Sequence, residues 1–279
     1  MKSLLILFIF INIYKTVSTN EFSKKLPIVV LHGIASSKEE MSNFSSWITD
    51  TYNTEVYNVE IGNGYDTSLN TPLDTQVEML CDLLDTMIEL ENGFNFIGMS
   101  QGGLIARAYV QRCNHPPVRN LITLVSPHGG EYDKNFNIID FYNPLFQLTT
   151  SFAGYWRDPL RFYEYKTKCS FLPDINIDKP VGQQLKYKFN LLKLYNFVMI
   201  WSPSDEIIKP SSSGKFDVYD REMNVVDLTH SELYINDYLG LKKLNETNRL
   251  WSFQTTCKHV EHKMPYCHQQ LKPILDKFL

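Results

Sequence analysis

Positive charge is in short supply. Lysine and arginine total 27 against 31 aspartates and glutamates in 279 residues, a formal net charge of −4. With no basic field to hold a phosphate backbone, nucleic acid is not an expected partner. Glycine and proline are sparse, 13 of each, and no repeat or low-complexity tract occurs, which excludes collagen-like and coiled-coil chains. Long apolar runs are limited to one, Leu4 to Ile13, shorter than the roughly 20 apolar residues of a membrane span. No C-x-x-C pair occurs, so zinc and thioredoxin-like chemistry have no support, and neither a metal nor an organic cofactor is expected. What remains, 43 % hydrophobic and 21 % charged residues, is the composition of a folded globular chain with material for a deep core.

The single apolar run follows Lys2 and precedes the small residues Thr16, Val17 and Ser18. This layout predicts a cleaved secretory signal over residues 1–18, a mature chain starting near Thr19, and no transmembrane anchor. Two acceptor sequons, Asn43-Phe44-Ser45 and Asn245-Glu246-Thr247, fit passage through a glycosylating compartment. Such a compartment also permits disulfides. Of the five cysteines, Cys257 and Cys267 bracket one short segment and are the expected pair; the odd count leaves a thiol over, expected to be Cys81, buried on a helix.

Pro27 to Leu31 is a continuous apolar run ending at His32-Gly33, the pattern of a strand buried on both faces of a parallel sheet. Similar short runs occur at Phe94 to Ile97, Leu121 to Val125, Phe197 to Trp201 and Leu250 to Thr255, with a weaker one at Thr54 to Ile61. Helical spacing marks Gln76 to Glu91 and Leu104 to Arg112. Strands alternating with helices predict an α/β, mostly parallel, doubly wound sheet. The seventy or so aromatic-rich residues between the strands at Val125 and Phe197 lack a convincing strand. A stretch this long predicts a functional insertion, here a helical cap of about 131–196 within one domain spanning 19–279.

Gly98-Met99-Ser100-Gln101-Gly102 matches G-x-S-x-G, and it lies between a predicted strand and a predicted helix, as a nucleophile elbow requires. A serine hydroxyl needs an imidazole to take its proton and a carboxylate to orient that imidazole. In this fold they follow in the order acid, then histidine, each after a strand. Asp205 follows the Phe197 to Trp201 strand, with Glu206 as its rival; His259 and His262 both follow the last strand. His268 falls on the terminal helix, His115 precedes a Pro-Pro turn, and His32 lies too early in the chain to be the base. The oxyanion donors are expected to be the backbone amides of Gln101 and, from the His32-Gly33-Ile34 loop, Ile34.

Six blocks carry a family resemblance: Leu31-His32-Gly33, Gly98 to Gly103, Tyr155-Trp156-Arg157-Asp158-Pro159, Phe171 to Asn176, Asp205 to Pro210, and Leu239-Gly240-Leu241-Lys242. Together, from about Leu26 to the C-terminus, they resemble palmitoyl-protein thioesterases. The resemblance implies an α/β-hydrolase of a lysosome-like compartment, with secretion as the other destination; a monomer is the expectation for its oligomeric state. Its implied activity is removal of long-chain fatty acyl groups from S-acylated proteins, with Ser100 as nucleophile, Asp205 as acid and Ile34 and Gln101 at the oxyanion. Counting from Leu239-Gly240-Leu241-Lys242 selects His259 as base. The approach Cys257-Lys258-His259 departs from the family's pattern, and a Cys257–Cys267 bridge would leave His262 as the alternative. The resemblance gives the cap aromatics an expected use as an acyl groove, among them Phe141, Phe152, Tyr155 and Trp156. The competing readings are a lipase, esterase or acyl-CoA thioesterase on the same scaffold, or a silent lipid-binding protein.

Overall fold

A computed structural model describes residues 25–136, 139–179 and 182–279. The Leu4 to Ile13 run and the expected cleavage near Thr19 lie outside the described residues. Six strands form one sheet: β1 (Ile28–Leu31), β2 (Val56–Val59), β3 (Phe94–Met99), β4 (Val118–Leu124), β5 (Asn196–Trp201) and β8 (Leu250–Gln254). A two-residue hairpin pair, β6 (Val218–Tyr219) and β7 (Val225–Val226), stands apart. The sheet order is β2-β1-β3-β4-β5-β8, parallel throughout. The chain winds outward from β1 to β2, returns to β3 on the other side, and continues outward. The sheet therefore reverses direction between β1 and β3, and the carboxyl ends of these two strands flank the crevice where such sheets bind ligands.

Both faces of the sheet are covered, and the side-chain alternation along each strand decides which residue faces which layer. Val29, Leu31 and Phe96 pack with α3 (Leu73–Asp85), α4 (Gln101–Arg112) and α8 (Gln184–Leu191). Ile28, Val30, Ile97 and Met99 face the opposite way, onto α1 (Ser42–Tyr52) and the terminal α11 (His268–Leu275). The expected helix over Gln76 to Glu91 is displaced toward its N-terminus. It starts after Pro72, and its end is drawn in at Thr86, whose hydroxyl donates to the Leu83 carbonyl at 2.7 Å. A separate 3-10 turn, Ile88–Leu90, carries the rest of the apolar pattern.

The stretch between β4 and β5 contributes no strand to the main sheet among the described residues. It holds α5 (Pro144–Thr149), α6 (Phe162–Lys168), α7 (Leu172–Ile175) and α8. The remaining helices are short: α2 (Tyr65–Asn70) before α3, and α9 (Glu232–Ile235) and α10 (Leu241–Glu246) before β8. Arg107 of α4 is fully buried and reaches α7, donating to the Ile175 carbonyl at 3.2 Å, Asn176 Oδ1 at 2.8 Å and Gln111 Oε1 at 3.2 Å. Its guanidinium lies 4.9 Å from the Phe216 ring centroid. No helix among the described residues is long and apolar enough to cross a membrane.

Cys257 and Cys267 are bonded, as their spacing predicts. Cys81 is not the leftover thiol: it bridges Cys113, 32 positions away, because α3 and α4 pack side by side and bring the two Cα atoms to 6.2 Å. The free cysteine is Cys169, 1 % exposed between α6 and α7; its Sγ donates to the Gly154 carbonyl at 3.1 Å. Burial pushes its thiol up to about 12, so it stays protonated and unreactive.

Candidate active site

Ser100 sits between the last residue of β3 and the first of α4, with φ 54° and ψ −128°. A serine adopts this region only under constraint. Here the constraint comes from both sides, since Ser100 N donates to the Leu124 carbonyl at 2.8 Å and Gly103 N to the Ser100 carbonyl at 3.0 Å. The turn also needs the helix close to its neighbours. A Cβ on Gly102 would lie 2.2 Å from the His32 carbonyl, and one on Gly103 would lie 1.9 Å from Ser126 Oγ. The elbow thus presents the Ser100 hydroxyl at the carboxyl end of β3, although the residue is only 6 % exposed.

His259 lies five residues beyond β8, and its Nε2 is 2.9 Å from Ser100 Oγ. Its Nδ1 is 2.8 Å from Asp205 Oδ2. A carboxylate oxygen only accepts, so Nδ1 carries the proton, and Nε2 is left bare to accept from the serine hydroxyl. Asp205, four residues past β5, is aimed by its own loop: Oδ1 accepts from the amides of Ile207 at 2.9 Å and Ile208 at 3.0 Å. Glu206 is not in this line; its Oε2 accepts from the His259 amide at 3.2 Å and steadies the histidine's backbone.

The structure separates the two histidines that spacing leaves three residues apart. His262 is fully buried beneath the loop, with Nε2 2.7 Å from Thr255 Oγ1 and Nδ1 donating to the carbonyls of Lys258 and His259. Burial pulls its pKa below the ordinary imidazole value. It has no contact with Ser100, even though the Cys257–Cys267 bridge encloses both. His268 stacks on Trp47, and His115 pairs with the exposed Asp85. His32 precedes Gly33, whose backbone adjoins Ser100, and its Nδ1 is 2.8 Å from the Gly33 carbonyl.

The Gln101 amide heads α4, the helix terminus where backbone N–H groups have no intrahelical partner. The Gln101 side chain points away, donating to the Ser68 carbonyl at 2.7 Å; Ser151 Oγ donates to the same carbonyl at 2.6 Å. These two bonds tie α2 and the stretch between β4 and β5 to Gln101, the residue after Ser100. Neither serine was marked by any sequence motif.

Glu131 also carries no sequence signal. It is 4 % exposed, and its Oε2 accepts from the Lys209 amide at 3.0 Å. Burial drives its carboxyl well above the usual carboxylate range; the Lys209 amide opposes this and the charge of Asp205 adds to it. Burial and the nearby Asp205 charge both favour the neutral form of Glu131 over a second buried negative charge. The large apolar residues between β4 and β5 divide: Phe141, Tyr142, Tyr155, Trp156 and Phe171 are buried, whereas Leu145, Phe146, Leu148 and Leu160 are exposed. Among the described residues no group of three or more His, Cys, Asp or Glu side chains could hold a metal ion. A serine, a bare imidazole nitrogen and an aimed carboxylate in one hydrogen-bonded line can carry out acyl transfer.

A family model described as palmitoyl protein thioesterase matches residues 27–259. The chain is 40 % identical over 265 residues to palmitoyl-protein thioesterase 3 of Dictyostelium discoideum, covering 90 % of each. It is 32 % identical over 268 residues to the lysosomal thioesterase PPT2 homolog of Drosophila melanogaster, covering 90 % of this chain and 92 % of that one. Among solved structures it is similar to an extracellular alpha/beta-hydrolase from a Paenibacillus species. The TM-score is 0.51 at 11 % identity, over 90 % of this chain and 98 % of that one, a likeness of fold alone.

Proposed function

The chain belongs to the palmitoyl protein thioesterase family and is a thioester-hydrolysing serine hydrolase, and from that premise we propose that it removes palmitoyl groups from cysteine residues of proteins through an acyl-enzyme on Ser100. The observation that carries the assignment of roles is the line from Ser100 Oγ to His259 at 2.9 Å and on to Asp205 at 2.8 Å, on a strained elbow. Ser100 Oγ bonds to the thioester carbonyl carbon as its proton passes to His259 Nε2. The oxyanion is held by the amides of Ile34 and Gln101. Collapse breaks the carbon–sulfur bond, and the cysteine sulfur leaves with the proton from His259. Water, deprotonated by the same imidazole, then cleaves the serine ester and releases the fatty acid. Asp205 keeps Nδ1 protonated and stabilises the imidazolium without itself taking the proton.

The cap over about 131–196 lines the acyl chain in this reading, within one hydrolase domain over 19–279 behind a signal over 1–18. Two disulfides and the lysosomal name of the fly relative support delivery through the secretory pathway to a lysosome-like compartment. The test is hydrolysis of a palmitoyl-cysteine thioester beside the matched oxygen ester. Ser100→Ala and His259→Ala are each expected to lose roughly a millionfold in kcat, on the scale of other serine hydrolases, while His262→Ala keeps turnover. Turnover surviving in Ser100→Ala would overturn the nucleophile assignment. Preference for the oxygen ester would overturn the substrate class.

A further inference from the structure

We propose that His32 is a positioning residue for the oxyanion contact: it holds the Gly33–Ile34 peptide so that the Ile34 N–H faces the reacting carbonyl. The inference rests on the reading above in which the amides of Ile34 and Gln101 receive the oxyanion. The Gly33 backbone lies directly against the nucleophile, since a Cβ there would be 3.0 Å from Ser100 Cβ and 3.5 Å from Ser100 Oγ. A side chain there would be a tight fit against Ser100, and the glycine that avoids it is the residue whose backbone rotates most freely. A peptide unit beside a reacting atom that can turn freely cannot present a fixed donor, so the loop needs a tether.

His32 supplies it. Its Nδ1 is 2.8 Å from the Gly33 carbonyl. A carbonyl only accepts, so Nδ1 is the protonated nitrogen. In a planar trans peptide the C=O and the following N–H point in opposite directions. Holding the Gly33 oxygen on the imidazole therefore fixes the direction of the Ile34 N–H, which makes no hydrogen bond with any described residue. On the other side, the His32 carbonyl packs against Gly102 of the nucleophile helix. The tether is thereby referenced to the elbow itself. Beyond the donor the chain turns sharply at Ala35, with φ 48°.

The imidazole is 4 % exposed, and its Nε2 is buried with no partner. A buried ring nitrogen left unsatisfied carries a cost. Hydrogen bonding elsewhere does not account for the placement of this side chain, whereas the single Nδ1 bond does. Burial lowers the pKa of His32, which favours the neutral ring, and the bond to the Gly33 carbonyl then selects the tautomer with the proton on Nδ1.

The experiment compares wild type, His32→Phe, which keeps a ring and loses the donor, and His32→Asn, whose amide can donate from nearly the position of Nδ1. For palmitoyl-cysteine hydrolysis, His32→Phe is expected to lose roughly ten- to a hundredfold in kcat, less than complete removal of an oxyanion donor, with KM little changed. His32→Asn is expected to recover most of that loss. Hexadecyl trifluoromethyl ketone, which forms a tetrahedral adduct with an oxyanion, is expected to bind His32→Phe more weakly by the same factor, with palmitate binding unchanged. Equal weakening of ketone and palmitate, or no advantage of Asn over Phe, would overturn the proposal in favour of a packing role. A wild-type enzyme that binds the ketone no better than palmitate would overturn the oxyanion reading itself, and the inference with it. Should neither variant fold, 15N spectra of histidine-labelled wild type decide: a His32 protonated on Nε2 rather than Nδ1 rules the tether out.

Discussion

Glu131 is a carboxyl with almost no water around it and the Lys209 amide as a hydrogen-bond donor. Its folded pKa is raised above the unfolded value, chiefly by burial. Such a group favours the folded state fully below its unfolded pKa, near 4.5, and loses that contribution as pH rises through the folded value. Glu131→Gln, which can still accept from the Lys209 amide, removes the titration. The variant is expected to match wild type near pH 4.5 and to become progressively more stable than wild type toward neutral pH. The gain is about 1.4 kcal/mol for each unit by which folded and unfolded values differ. Melting temperatures across pH 4 to 8 check this, and a difference independent of pH would sink it. The sequence contains no hint of Glu131, because its role depends on Lys209 and Asp205 being folded over it. Ser100 was legible from five residues of pattern, and Asp205 from its place after a strand. Position after the last strand left His259 and His262 both open, and counting from Leu239-Gly240-Leu241-Lys242 favoured His259; what the sequence could not show is that Thr255 and two backbone carbonyls engage His262.

Among the elements, the loop after β8 is the one most dependent on covalent closure. Cys257 and Cys267 are 10 positions apart and enclose His259. Closing a ring of that size restricts the unfolded chain by about 3 kcal/mol in the loop-entropy account. The paired Cys257→Ala, Cys267→Ala variant is expected to lose about that much in denaturant unfolding, and to lose kcat more than KM because the imidazole is less well aimed. Retention of full kcat in a destabilised variant would show that Asp205 and Glu206 hold the loop without the bridge. The parallel strands were legible because short, mostly apolar runs end at Gly, Ser-Pro or Thr. The hairpin of β6 and β7 was not, since two-residue strands carry no periodicity. The partner of Cys81 was equally hidden: which cysteine lies across from α3 is set by the packing of α3 on α4, not by the count of residues between them.

On the scale of the whole molecule, four loops from the carboxyl edge of one sheet meet at Ser100, and the cap is fastened to the same helix that carries the serine. The Arg107 guanidinium is pulled down to about 9 by burial and remains charged at neutral and acidic pH. Its acceptors are neutral, and two of them, the Ile175 carbonyl and Asn176 Oδ1, belong to the cap. The expected outcome for Arg107→Met is earlier amide exchange at the end of α7, with exchange in α4 changed far less; parallel acceleration in both would refute this. In the native chain, by contrast, lifting that part of the cap would strand a buried cation. Slow amide exchange should therefore report α4 and α7 as a single cooperative unit, so that the protein has no cheap partial opening in which the cap is loose while the nucleophile helix stays intact.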